Sequence, residues 1–131
     1  MKGSGARLDL IFDTHALFWL SSNHPRLSRK VVSELSNPDT RTFLSAVTAW
    51  EYGDLHARGR LPESVSLSEM QEQMAFQMLD FPASARFHSE RLPPIHRDPI
   101  DRMLVAHAIE ANLVLVTADL RMRQYPVQTL W

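Results

Sequence analysis

The sequence predicts an α/β fold: a three-layer α/β/α sandwich whose central, mainly parallel sheet has about five strands. Short apolar runs recur along the chain, and residues with helical spacing follow them. Such alternation of strand and helix favours a parallel sheet with helices on both faces. The length of 131 residues, with 44% hydrophobic and 22% charged residues, predicts one domain, 1–131, with a single core.

The predicted strands are short, as expected for strands buried on both faces. The candidates in chain order are LDLIFD (8–13), RTFLS (41–45), MLDFP (78–82), LVLVT (113–117) and VQTLW (127–131). The last of them follows the turn signal Tyr125-Pro126. MLDFP has the weakest strand pattern of the five.

The predicted helices occupy the segments between the strands. In chain order they are 14–20, 28–36, 46–58, 67–77, 83–91 and 99–111. Serine residues mark three of their starts: Ser28, Ser45, and either Ser66 or Ser68. We therefore expect a strand–helix repeat along the whole chain.

Composition excludes several kinds of chemistry. The chain has no cysteine, which rules out a disulfide framework, a thiolate zinc site and a thiol nucleophile. No apolar run approaches the roughly 20 residues that span a bilayer, and the N-terminus lacks the apolar region of a secretory signal. We expect a cytoplasmic protein without membrane contact, with residues 1–6 as a flexible N-terminus or a vector-derived remnant.

Acidic residues follow the predicted strands. Asp13 ends the first strand, Asp119 comes two residues after LVLVT, and Glu51 lies about a turn and a half into the helix after the second strand. Because the carboxyl ends of parallel strands meet at one edge of the sheet, these acids are expected to converge there.

A fourth acid comes from the segment HRDPIDRM. Pro99 suits the first position of a helix, which makes Asp98 the natural N-cap. Asp101 would occupy the third helical position, where its carboxylate either reaches back in a capping box or projects toward the sheet edge. Local sequence leaves both roles open for Asp101.

Four converging carboxylates would raise one another's pKa unless a cation lay among them. Oxygen-only ligands favour Mg²⁺ or Mn²⁺ over zinc. Such a metal lowers the pKa of a bound water, which can then attack a phosphodiester. The pattern therefore predicts a divalent-metal site at the sheet edge.

Five motifs together give the chain a family resemblance. These are IFDTHALFWL, SAVTAWE, GRLP, LPPIHRDPIDRMLVAHAIEANLVLVTAD and the terminal YPVQTLW. The chain resembles the PIN domain family, and in particular the VapC toxins of bacterial toxin–antitoxin pairs. The resemblance implies a Mg²⁺- or Mn²⁺-dependent endoribonuclease that acts on RNA, forms a homodimer and is held inactive by a VapB-type antitoxin.

The resemblance also implies which residues act. The catalytic, metal-binding acids would be Asp13, Glu51, Asp101 and Asp119. Residues expected to border them are Thr14, Thr117, Asp98 and His15. The two threonines suit ordinary capping and strand-end roles equally well, and His15 also suits the role of a packed or solvent-facing histidine. Candidate contacts to RNA phosphates are Arg58, Arg60, Arg97 and Arg102, each of which could instead be a surface arginine, and Arg102 could pair with an acid. The antitoxin would cover helices 14–20 and 46–58, and DNA would be bound only through it.

The chain departs from the family in the segment WEYGDL (50–55). Many relatives carry a lysine where this chain has Leu55, which puts RNA contacts on that helix in doubt. Gly53 weakens the helix by about 0.5–1 kcal/mol relative to alanine, and Asp54 is expected to be a solvated surface acid. Among the remaining residues, the predicted structural histidines are His96 and His107, and the predicted core aromatics are Phe12, Phe18, Trp19 and Trp50.

Rival functions fit the sequence less well. A phosphoryl-receiver domain needs a lysine near its last strand, and this chain has none there. A haloacid-dehalogenase-like phosphatase needs an aspartate at the position of His15. The four glycines form no G-x-G-x-x-G motif. The remaining alternative is a non-catalytic PIN-like domain that binds RNA or protein.

Overall fold

Five parallel strands form one sheet in the structure, a computed structural model that describes residues 8–131. The strands are β1 (Asp9–Phe12), β2 (Arg41–Ser45), β3 (Gln77–Leu79), β4 (Val114–Val116) and β5 (Thr129–Leu130). Their order in the sheet is β3-β2-β1-β4-β5, and every neighbouring pair is parallel. This confirms the predicted sheet. The predicted N-terminal extension, 1–6, lies outside the described residues.

Six helices connect and cover the strands. They are α1 (Thr14–Ser21), α2 (Arg29–Leu35), α3 (Ala46–Ala57), α4 (Leu67–Met74), α5 (Ala85–Arg91) and α6 (Pro99–Ala111). Ser28, Ser45 and Ser66 cap α2, α3 and α4 by accepting hydrogen bonds from backbone N–H groups in the first turn, as predicted. Between residues 8 and 131, no helix is both long and apolar enough to cross a membrane.

The alternation of side chains along β1 explains the three layers. Leu10 and Phe12 pack on one face of the sheet, in a cluster with residues of α1, α2, α3 and α4. Ile11 points to the other face, where it packs with residues of α5 and α6. The α/β/α sandwich therefore has four helices on one face and two on the other.

The structure differs from the predicted elements in two places. The predicted helix 67–77 ends at Met74, because Ala75 adopts a left-handed backbone with φ 50° and the chain turns into β3 at Gln77. A short 3-10 helix, Met122–Gln124, was not predicted.

The prediction that the aromatic residues are mostly core is wrong for Trp50, whose exposed fraction is 82%, whereas Phe12 is fully buried. The buried residues of α3 include Thr48 and Tyr52, and Trp50 stands two residues from each, on the opposite side of the helix. Phe18 and Trp19 are half-buried.

Candidate acidic site

A cavity of about 300 Å³ opens at the carboxyl edge of the sheet. The carboxylates that line it are Asp13, Glu51, Asp98, Asp101 and Asp119. The fold therefore brings all four predicted site acids, and the predicted capping acid beside them, around one space. Thr14, His15 and Leu55 also line the cavity.

Asp13 is held by hydrogen bonds at the junction of β1 and α1. Its backbone N–H donates to the carbonyl of Val116 in β4 at 3.1 Å, and its Oδ1 accepts from the backbone N–H of Ala16 at 2.7 Å. The side chain is thus the N-cap of α1. Burial raises the pKa of Asp13, although hydrogen bonds from the Thr117 hydroxyl and the Ala16 N–H act in the opposite direction.

Glu51 reaches the cavity from α3. The Thr14 hydroxyl, at the start of α1, donates a hydrogen bond to Oε1 of Glu51. The start of α3 is itself anchored: Oγ of Ser45 accepts from the Val47 N–H at 3.2 Å and lies 2.9 Å from Nδ1 of the buried His107. Thr14 and Ser45 therefore fix the place of Glu51 relative to Asp13, and His107 has the structural position predicted for it.

The two acids at the start of α6 have different surroundings. Asp98 accepts a hydrogen bond from the Ile100 N–H at 2.9 Å, which confirms it as the N-cap. Asp101 does not complete a capping box, because the Asp98 N–H donates instead to Nδ1 of His96 at 3.1 Å. The Asp101 carboxylate faces the cavity, with Oδ2 3.0 Å from Nε2 of His96. Of the two positions that the sequence allows for Asp101, a capping box or projection toward the sheet edge, the structure shows the second.

Electrostatics within the cavity are unfavourable for an ionised Asp101. Burial, and then the negative charge of Asp98, raise the pKa of Asp101 from its ordinary value of 3.8 to about 7; Asp13 and Glu51 add to this, and His96 opposes it. Without a cation, the groups around the cavity therefore do not balance the negative charge of its carboxylates.

Asp119 lies in the loop after β4. Its backbone N–H donates to Oγ1 of Thr117 at 3.0 Å, and its Oδ1 accepts from the Arg121 N–H at 2.8 Å. Partial burial would raise the pKa of Asp119, but hydrogen bonds from the Arg121 N–H and from His96 outweigh that effect and leave the pKa below its ordinary value.

His96 is the site residue that sequence reasoning missed. It was expected to be structural, but its Nε2 lies 3.0 Å from Oδ2 of Asp101 and 3.1 Å from Oδ2 of Asp119. The available signal was its position two residues before Asp98 in HRDPID. His15, by contrast, is exposed at the mouth of the cavity.

The candidate phosphate-binding arginines do not line the cavity. Within residues 8–131, the cavity lining includes none of Arg58, Arg60, Arg97 and Arg102. Arg58 pairs with Asp54 at 2.9 Å on the exposed surface of α3, which agrees with the surface role predicted for Asp54. Arg102 pairs with no acid in the described part of the chain, since its guanidinium donates hydrogen bonds to oxygens of Pro93, Ser89 and Tyr125.

The donor set of the cavity suits a divalent cation. It consists mainly of carboxylate oxygens, and the chain has no cysteine. A carboxylate oxygen of Asp101, one of Asp119 and a ring nitrogen of His96 lie within 4.8 Å of one another. A hard cation such as Mg²⁺ or Mn²⁺ prefers oxygen ligands and would compensate the charge that raises the pKa of Asp101.

Comparison with known proteins identifies relatives along almost the whole chain. A family model described as PIN domain matches residues 10–128. Ribonuclease VapC22 of Mycobacterium tuberculosis is 27% identical over 129 residues, covering 93% of this chain and 98% of the relative.

Solved structures show the same fold. The VapBC2 complex of Rickettsia felis, bound to a DNA fragment from its promoter, matches with a TM-score of 0.71 at 16% identity, over 94% of this chain and 98% of the other. DNA-bound VapBC from Salmonella typhimurium matches with a TM-score of 0.68 at 21% identity, over 94% and 97%. At these identities the likeness concerns the fold.

Proposed function

The chain belongs to the PIN domain family, and on that premise we propose that it is a divalent-metal-dependent endoribonuclease of the VapC toxin type. The observation that carries the proposal is the convergence of Asp13, Glu51, Asp101 and Asp119 on one cavity at the carboxyl edge of the sheet. The name of the mycobacterial relative, a ribonuclease, supports the same activity.

The four acids would hold Mg²⁺ or Mn²⁺ through their carboxylate oxygens. Bound there, the cation would lower the pKa of a water molecule and stabilise charge on a phosphodiester. The protein's part is to keep the ligands in place: Thr14 orients Glu51, and Thr117 orients both Asp13 and the backbone of Asp119. No side-chain nucleophile is needed.

The RNA would approach a negatively charged cavity, so positive groups outside it must help to bind the phosphates. Arg60 and Arg97 are the best candidates, because they are exposed and Arg58 is already paired with Asp54. Arg102 fits this role least, since its guanidinium holds the segment before α6. Leu55 gives the cavity an apolar wall where many relatives have a cation.

The partner that fits this chain is a VapB-type antitoxin, which would also supply any DNA binding. Three solved structures with this fold are VapBC complexes, and two of these contain DNA. An apolar groove between α3 and α6, lined by Val47, Trp50, Ile100 and Met103, offers a surface on one of the helices expected to receive it. We also propose that the chain forms a homodimer.

The test compares two acids on one helix. Glu51→Gln removes a proposed metal ligand, whereas Asp54→Asn removes an exposed acid three residues away whose partner is Arg58. With Mn²⁺ and RNA, we expect Glu51→Gln to lower the cleavage rate by orders of magnitude and Asp54→Asn to leave it near the wild-type rate.

Equal activity of wild type and Glu51→Gln would remove Glu51 from the site. A wild-type chain that binds RNA but cleaves none with any divalent metal would favour the non-catalytic alternative. Circular dichroism of both variants establishes that the fold is intact.

A further inference from the structure

His96 is held from three directions. Its backbone N–H donates to the hydroxyl of Tyr125 at 2.7 Å, in the buried part of the chain. Its Nδ1 accepts from the Asp98 N–H at 3.1 Å, and its Nε2 contacts Asp101 and Asp119. The side chain is only 8% exposed. The ring therefore has a defined orientation between α6 and the loop after β4.

Hydrogen bonding assigns the tautomer of this ring. A backbone N–H can only donate, so Nδ1 of His96 must present its lone pair to Asp98. The proton of the neutral ring then lies on Nε2, where both neighbouring oxygens are carboxylate acceptors. A nitrogen that carries a proton has no lone pair for a metal ion.

We propose that His96 is a positioning residue of the acidic site and not a metal ligand. Its Nε2–H donates to Oδ2 of Asp119, after β4, at 3.1 Å and lies 3.0 Å from Oδ2 of Asp101, on α6, so the ring stands between two acids that come from different elements and holds them at a set distance. The inference rests on the proposed metal-dependent function, because it assigns the part that His96 plays in forming that site.

The anchoring of the ring supports a positioning role. Tyr125, which accepts from the His96 backbone, lies 3.3 Å from Nη1 of Arg102. The same guanidinium donates to the carbonyls of Pro93 and Ser89, at 3.0 and 3.2 Å, on the segment that leads to His96. A ring fixed in this way can impose its geometry on the two carboxylates.

The competing role, in which His96 ligates the metal, predicts different behaviour for two variants. The side-chain amide of His96→Gln can donate a hydrogen bond near the position of Nε2, whereas His96→Ala cannot. We expect His96→Ala to weaken Mn²⁺ binding, measured by calorimetry, by about 10- to 100-fold. His96→Gln should recover most of that loss, and equal losses in both variants would overturn the proposal.

Two spectroscopic measurements on the wild-type chain do not depend on the variants. In the metal-free protein, ¹⁵N chemical shifts of His96 should show the tautomer protonated at Nε2. In the Mn²⁺-loaded protein, pulsed EPR should show no directly bound ¹⁴N.

A ring protonated at Nδ1, or a ¹⁴N coupling that disappears in His96→Gln, would contradict the positioning role and leave the nuclease proposal intact. Wild-type protein that binds no Mn²⁺ would instead remove the proposed function, and the positioning role with it.

Discussion

At the scale of single residues, the site is a set of acids whose ionisation is opposed by burial and by one another. Asp13 and Asp101 both have raised pKa values for this reason, while Asp119 is stabilised as a carboxylate by the Arg121 N–H and by His96. A cation would reverse the balance at Asp101, since it favours the charged form. The protein thus maintains a site that is electrostatically unfavourable until a cation binds.

Asp101 should make the metal-free chain less stable as pH rises. Its folded-state pKa of about 7 exceeds its ordinary value of 3.8, so between these values the folded chain holds a proton that the unfolded chain releases. Stability from this group therefore falls as pH rises through that window and levels off above it. Asp101→Asn should flatten the dependence and be the more stable protein at about pH 8.

The measurement is urea unfolding with a chelator between about pH 5.5 and 8. Asp54→Asn is the control, because that carboxylate is exposed, and its curve should run parallel to the wild-type curve. A parallel curve for Asp101→Asn would show that the pKa of Asp101 is not raised in the folded chain.

At the scale of elements, most starts and ends could be predicted because their causes are local. Ser28, Ser45 and Ser66 cap the helices they precede, and Asp98 caps α6 just before a proline. The end of α4 could not be predicted in this way, since Ala75 is a good helix former that takes a left-handed backbone so that Phe76 can enter the core.

In the site, too, residues with a local sequence signal could be predicted and residues held by distant contacts could not. The positions of three acids could be predicted from strand ends and sheet topology, and that of Asp101 from the start of α6 together with the family resemblance. The sequence places His96 near Asp98 but could not predict its contacts with Asp101 and Asp119, because its segment has no periodicity and its backbone is fixed by Tyr125, 29 residues further along the chain.

Gly53 gives a test of α3 as an element. A Cβ built at Gly53 meets nothing within 4 Å, so Gly53→Ala should stabilise the protein by about 0.5–1 kcal/mol through the lower backbone entropy of the unfolded chain. Gly59→Ala should instead destabilise it, because Gly59 has φ +69°. Urea unfolding measures both, and a destabilised Gly53→Ala would mean that α3 is not regular at this position.

At the scale of the whole molecule, the sandwich leaves one large aromatic side chain exposed close to the site. Trp50 is 82% exposed beside the groove between α3 and α6, and Glu51 lines both that groove and the acidic cavity. A partner seated in the groove would therefore lie next to the proposed metal ligands. This arrangement suits inhibition by a protein that covers the site.

Trp50→Arg should weaken binding of the proposed VapB-type antitoxin, because it replaces an exposed apolar anchor with a charge. We expect at least a tenfold rise in Kd, or about 1.4 kcal/mol, by calorimetry, with the unfolding midpoint unchanged. Phe87→Arg, at an exposed aromatic on α5, is the matched control. Equal affinity of Trp50→Arg and wild type would place the partner elsewhere.

The converging acids are proposed to make this chain a metal-dependent ribonuclease. The most direct measurement incubates the purified chain, free of antitoxin, with total RNA in Mg²⁺ or Mn²⁺ and maps new 5′ ends. We expect discrete 5′-phosphate ends that vanish with EDTA and with Asp101→Asn. Ends that persist in either control, or their absence with every metal and RNA pool while Mn²⁺ binds the cavity, would rule out a ribonuclease that depends on these acids.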